Sequence, residues 1–238
     1  MKIAWYDRDP ALLRGYEEEI EHSFPGLRLV LHEGKVIAKG RFDVYADGKI
    51  YDSYSISIHF LDGHPQSLPL VFEEGGKIPK IADRHVNIDG SACLFVFFER
   101  KKYWSNPRSL TQFLGGAVNA YFYSQSYYSK NGTYPFGERN HDVLGVLEAI
   151  QEHSGVESLE HAVKVVRLLE HKELKGHWSC PCGRGKALRE CHGPYISELK
   201  KILSPDDAKS VMNRIKEIHK EWSTQRQRDF NVLGRLGR

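Results

Sequence analysis

The chain has 238 residues, of which 40% are hydrophobic, and its net charge is +3 at pH 7 with histidine neutral. That length suits one core of about 100 to 200 residues plus an appendage, and so small a charge does not by itself imply a nucleic-acid partner. No apolar run approaches the roughly 18 residues of a membrane span, and Met1 to Asp7 lacks a signal peptide's apolar core, so a cytoplasmic protein without a membrane partner is expected.

Pro10 to Phe24 carries Leu12, Leu13, Tyr16, Ile20 and Phe24 at helical spacing, with Glu17, Glu18, Glu19 and Glu21 mostly away from them, which predicts an amphipathic helix. Pro25-Gly26 ends it, and Leu27, Leu29 and Leu31 then alternate with polar or smaller partners as in a strand. Further strands are expected at Val36 to Tyr45, Lys49 to Phe60 and Leu68 to Phe72, the first two of these joined by the hairpin signal Asp47-Gly48. The run Leu94 to Phe98 is too short for a helix and reads as a buried extended segment. From Leu110 to Phe122 the helical spacing returns, with Ser105 or Ser109 as cap, and this helix is expected to back Cys93. Tyr121, Tyr123, Tyr127 and Tyr128 read as aromatic packing rather than a base-stacking platform.

Tyr134 to His141 is a polar loop, followed by a helix from Asp142 to His153. Ser154-Gly155 marks the expected end of the first domain, and a helix bearing Leu159, Ala162, Val163, Val166, Leu168 and Leu169 then leads outward over 156–174. Helices are also expected from Pro194 to Leu203 and from Pro205 to Trp222, the second capped by Ser204 with Asp207 three residues on. The last segment, 223–238, reads as a flexible basic tail.

Cysteine usage is uneven: Cys93 stands alone, whereas Cys180, Cys182 and Cys191 are clustered. A reducing cytosol disfavours disulfides, and clustered cysteines there more often hold metal. A lone cysteine can be no more than a small buried hydrophobe, but Cys93 follows the polar turn Asp89-Gly90, and Asn87 stands six residues before it.

The segments His85-Val86-Asn87, Gly90-Ser91-Ala92-Cys93-Leu94 and Trp104-Ser105-Asn106-Pro107 resemble the active-site stretch of ubiquitin-conjugating enzymes, with its His-Pro-Asn, Gly-x-x-Cys-Leu and Trp-Ser-Pro motifs. Upstream, Tyr54 to Phe60, His64-Pro65 and Leu68-Pro69-Leu70 are similar to that family's third strand and proline-rich turn. Val86 replaces the usual proline, the interval from Asn to Cys is shorter and that from Cys to Trp longer, which points to divergent bacterial members. The resemblance implies an α+β fold over 1–155: an N-terminal helix, a four-stranded antiparallel meander, a cysteine loop and C-terminal helices. It implies Cys93 as the acyl-carrying thiol, Asn87 as oxyanion donor and His85 as a residue that orders the loop. Glu138 or His141 can act on a proton near Cys93 or simply pin their loop by hydrogen bonds. The implied partners are a ThiF-like activating enzyme, which consumes ATP, and a ubiquitin-like modifier. In bacterial antiviral operons a cGAS-like nucleotidyltransferase is joined to a target.

A second resemblance lies at Cys180-Pro181-Cys182 and Cys191-His192, separated by eight residues, as in the small zinc motif at the C-terminus of the secretion ATPase SecA. It implies a zinc appendage over 175–195, with Cys180, Cys182, Cys191 and His192 as ligands and two helices after it. Three thiolates and an imidazole complete a tetrahedral structural site, with no open position for an activated water. Two other readings remain: a non-catalytic adaptor of the same fold that binds a modifier or peptide, and a cysteine hydrolase pairing Cys93 with His85 or His141.

Overall fold

The computed structural model describes residues 3–104, 109–137, 140 and 142–236, with backbone alone for 101, 102 and 222–236. Ser105, Asn106, Pro107, Glu138 and His141 lie outside the described residues. The chain forms two compact units, Met1–Glu138 and Arg139–Arg238.

The first unit is α+β. A short helix α1 (Trp5–Arg8) precedes α2 (Pro10–Ser23), which Asp9 caps by accepting the Leu12 amide at 3.1 Å, with Pro10 on the first turn. Four strands follow, β1 (Leu27–His32), β2 (Lys35–Ala46), β3 (Lys49–His59) and β4 (Leu70–Glu73), forming an antiparallel sheet in the order β1-β2-β3-β4. The turns Glu33-Gly34 and Asp47-Gly48 have positive φ at both residues, the conformation that matches the twist of the strands they join. The register sets Ala38 opposite Ile58 and Phe42 opposite Tyr54, and all four side chains are buried. Their neighbours Lys39 and Arg41 are exposed, as strand alternation requires.

Behind the sheet lie α4 (Leu110–Phe113), a π turn at Leu114–Val118 and α5 (Asn119–Asn131), while α3 (Arg100–Tyr103) precedes them. Ser109 caps α4 at 3.2 Å, and Glu19 of α2 binds the Ser109 hydroxyl at 2.7 Å and the Thr111 amide at 2.6 Å. Phe42, Tyr54 and Phe122 meet in the core. The run from Leu94 to Phe98 is not a buried extended segment: Phe98 is buried, Phe97 is exposed, and the chain turns through a 3-10 helix into α3. Turning lets Phe95 stack on Tyr103 with ring centroids 4.9 Å apart, which a straight strand would prevent.

The second unit is helical: α6 (Asp142–Ser154), α7 (Leu159–Leu169), α8 (Gly193–Ile202) and α9 (Pro205–Leu236). Helix α6, expected before a boundary at Gly155, falls with this unit. Helix α7, expected to lead outward, belongs to the unit's interior, since Ala162, Val165, Val166 and Leu169 are all buried. These positions form a stripe at helical spacing that α6, α8 and α9 cover. Ser204 and Asp207 cap α9 reciprocally, each side chain accepting the other's amide. The backbone of α9 continues to Leu236, so 223–236, expected as a flexible tail, is helical. No helix of the described residues is long and apolar enough to cross a membrane.

Candidate functional site

Cys93 sits at the end of a small hairpin. The Gly90 amide donates to the Asn87 carbonyl and the Asn87 amide to the Ser91 carbonyl, both at 2.8 Å, and Gly90 has φ +84°. This is a type I turn followed by a left-handed glycine bulge, a conformation to which other side chains at position 90 would add strain. Val86 bridges Ala92, Ser91 bridges Phe72, and the Ala92 amide donates to the Val71 carbonyl at 2.7 Å, so the hairpin extends the sheet beyond β4. The Cys93 amide donates to the His85 carbonyl at 2.8 Å, which places these residues across from each other.

Cys93 is exposed, and Ile88 at the turn is fully exposed. Yet burial pushes the Cys93 thiol up, with no charged group of the described residues offsetting it. Solvent access governs which molecules reach the residue, and the surrounding protein governs how readily the thiol ionises. Asn87 donates its side-chain amide to Ser91 Oγ at 3.0 Å, and Asp89 accepts both the hydroxyl and the amide of Ser91 at 2.6 and 3.0 Å. The hydrogen bonds from Ser91 hold the Asp89 carboxyl below its ordinary range. Asn87 is thus a member of the turn's own network. His85 has φ 49° and sets its ring edge-on to Tyr134 at 5.3 Å. His141 and Glu138 are outside the described residues.

The peptide before the hairpin is held by residues that the sequence reading did not single out. Gln125 of α5 donates to the Arg84 carbonyl and accepts from Arg84 Nε, both at 2.9 Å. Its sequence signal is slight: Gln125 continues the buried stripe of Val118 and Phe122 as a polar residue on an apolar face.

In the second unit, Cys180, Cys182, Cys191 and His192 converge, their ligand atoms all within 4.8 Å of one another. The hairpin that presents the first two is closed by Cys180 N to Lys186 O at 3.0 Å and Leu188 N to Trp178 O at 2.7 Å, with Gly183 and Gly185 turning at positive φ. Cys191 ends a 3-10 turn, and His192 stands at the N-cap position of α8 with its side chain turned to the cluster instead of the helix amides. Cys180 Sγ and Cys191 Sγ lie 3.2 and 3.3 Å from His192 Nδ1, and Cys182 Sγ lies 3.5 Å from Cys191 Sγ. A tetrahedral ion with bonds of about 2.0 to 2.3 Å needs ligand separations of about 3.5 to 3.8 Å, so small adjustments suffice and the set can hold a metal ion. The far nitrogen, His192 Nε2, bonds the Gly155 carbonyl at 3.1 Å, which fixes the ring and directs Nδ1 at the cluster. Burial disfavours ionisation of Cys182, but the Arg184 amide and the neighbouring donors outweigh it and lower the thiol to about 7. Burial, with Cys182 and Cys180, pushes Cys191 up to about 11, the opposite shifts reflecting protons shared among close groups.

No known family, curated protein or solved structure matches the chain.

Proposed function

We propose that the chain is a divergent enzyme of the ubiquitin-conjugating type, in which Cys93 carries an acyl group as a thioester. The observation that carries this reading is an exposed thiol on a hydrogen-bonded hairpin attached to the last strand of a helix-then-meander unit, within the His85-to-Cys93 motif. Two surface clefts of the first unit are lined by other residues, one around Glu17, Ile20 and Arg28 and one around Trp5, Lys35 and Phe60. A thiol presented on a hairpin, outside those clefts, suits a macromolecular acyl donor better than a small substrate.

The Cys93 thiolate attacks the thioester of a ThiF-like activating enzyme and displaces that enzyme's thiolate. A substrate amine then attacks the Cys93 thioester, the tetrahedral intermediate expels the Cys93 thiolate, and the amine's proton passes to solvent or a base. Asn87 has a second amide hydrogen besides the one given to Ser91, and that hydrogen serves the oxyanion, a role in which one donor is worth about 3 kcal/mol. His85 orders the loop. The transferred group is a ubiquitin-like modifier or, in an antiviral setting, a cGAS-like nucleotidyltransferase. Cys180, Cys182, Cys191 and His192 hold one structural zinc ion, since three thiolates with one imidazole are a characteristic zinc set.

The adaptor reading has its own supporting observations: the Asn87 amide is already bonded to Ser91, and burial pushes the Cys93 thiol's pKa up. The test incubates the protein with a ThiF-like enzyme and a modifier encoded beside it, plus ATP, and compares gels with and without reductant. A reductant-sensitive adduct that Cys93→Ser abolishes or converts to a resistant oxyester supports conjugation. Failure of an active activating enzyme and its modifier to load Cys93 favours the adaptor.

A further inference from the structure

We infer that Gln125 is a positioning residue for Cys93, acting from helix α5 through the Arg84–His85 peptide; this rests on the conjugating reading above. Gln125 is 1% exposed, and both ends of its carboxamide bind the same residue: Nε2 donates to the Arg84 carbonyl and Oε1 accepts from Arg84 Nε. Arg84 is held further by its Nη2, which donates to Ser129 Oγ at 3.2 Å, and by its guanidinium over the Tyr128 ring at 4.6 Å. The Tyr121 hydroxyl donates to the same Arg84 carbonyl at 3.3 Å. Main chain and side chain of Arg84 are therefore both fixed to α5.

The next residue turns left-handed, with His85 at φ 49° and ψ 46°, and its carbonyl receives the Cys93 amide. A chain of named hydrogen bonds thus runs from the helix through Arg84 and His85 to the cysteine. Packing alone does not explain a glutamine here, because an apolar residue fills a buried site without the cost of desolvating an amide. The amide supplies a fixed direction to the peptide from which the hairpin departs. Direction matters for a nucleophile, since an error of about 1 Å in placement can cost about a hundredfold in rate.

Loss of the tie should loosen the hairpin, bring water behind the sulfur and ease thiolate formation, while productive attack becomes slower. Arg84, His85, Tyr54, Tyr121, Tyr128 and Tyr134 are the titratable and charged neighbours of this corner, and an uncharged replacement of Gln125 leaves their charges in place. Two uncharged variants of the full chain remove the tie with different side-chain shapes: Gln125→Leu and Gln125→Met each lose the donor to the carbonyl and the acceptor for Arg84 Nε. Alkylation of Cys93 by iodoacetamide, followed on its own peptide by mass spectrometry across pH, needs neither activating enzyme nor modifier. In both variants the alkylation midpoint should fall toward that of an ordinary cysteine, and the rate at pH 7.5 should rise at least about threefold. Discharge of a preformed Cys93 thioester to lysine should drop about tenfold or more. A wild-type alkylation profile in folded Gln125→Met overturns the inference, even if its melting temperature falls. Should Gln125→Leu not fold, Gln125→Met and Tyr121→Phe carry the comparison. A wild-type protein that never loads, with alkylation shifted in the variants, would sink conjugation and leave the tie between α5 and Cys93 standing.

Discussion

Cys93 and the trio Cys180, Cys182 and Cys191 carry the same functional group in opposite settings. Around Cys93 the nearest hydrogen-bonded structure is backbone, and burial pushes the thiol's pKa up. Around the trio, thiols and an imidazole face one another within 4.8 Å, and one thiol is already brought down to about 7. Convergence of donors offers a ligand set, and isolation on an exposed hairpin leaves a thiol without fellow ligands. The residue type alone decides neither.

The largest effect should come from emptying the ligand set. Purified protein is expected to hold one zinc ion per chain, and Cys182→Ser or strong chelation should abolish it, removing on the order of 10 kcal/mol of binding energy that small zinc modules put into folding. Hydrogen exchange should then rise across 142–221 and stay unchanged across 3–104. Full protection of α7 and α8 in metal-free protein would show that helix packing suffices and that the contrast between the cysteines is smaller than drawn.

Gly193→Ala should be next. A Cβ there would lie 2.5 Å from the Leu188 carbonyl oxygen, and backbone on that side cannot swing away as a flexible side chain would. A loss of about 2 to 4 kcal/mol is expected in thermal or urea unfolding of the second unit, together with weaker metal retention, because His192 precedes Gly193. Unchanged stability would mean that the turn from Cys191 into α8 is looser than described.

Thiol counting sharpens the same contrast. With metal bound, iodoacetamide should modify Cys93 alone, slowly at neutral pH and faster as pH rises toward its raised pKa. After chelation the other three thiols should react as well. Early modification of Cys182 in the metal-loaded protein would break the comparison.

The smallest effect concerns Asp52, which stabilises the first unit without metal. Burial raises its pKa, but hydrogen bonds from Lys77, Ser126 and the Ser53 amide outweigh that and leave it below the usual 3.8. A depressed folded pKa means that this stabilisation is complete above the unfolded value and is lost as pH falls through the folded one. The melting temperature of wild type should therefore decline more steeply below about pH 4 than that of Asp52→Asn. Parallel profiles would show that the carboxylate contributes nothing net.

The meander was legible because its signals are local: Asp47-Gly48 admits the positive φ of a tight hairpin, and Val36, Ala38, Phe42 and Val44 keep the period of two. The metal ligands were legible for the same reason, since Cys180, Cys182, Cys191 and His192 lie close in sequence as well as in space. What escaped depends on distant pairs. Nothing local to Gln125 announces Arg84, 41 positions earlier, and nothing in the apolar run before Phe98 announces that Phe95 would stack on Tyr103. The stripe on α7 was visible, but a stripe states only that a face is covered. Whether α7 led outward or packed with α6, α8 and α9 was a question of partners, and periodicity is silent about those.

One bond in the second unit has a thermodynamic consequence. His192 offers Nδ1 to the cluster and holds the Gly155 carbonyl, at the end of α6, with Nε2. An ion seated among the four donors therefore stiffens a helix corner outside its own hairpin, and helix packing in turn pre-orients a ligand. Mass action then sets the melting point: once the site is saturated, each tenfold rise in free metal adds about 1.4 kcal/mol to the folded state. The second unit would register metal supply as heat resistance, and the first, with none of these four donors, would not.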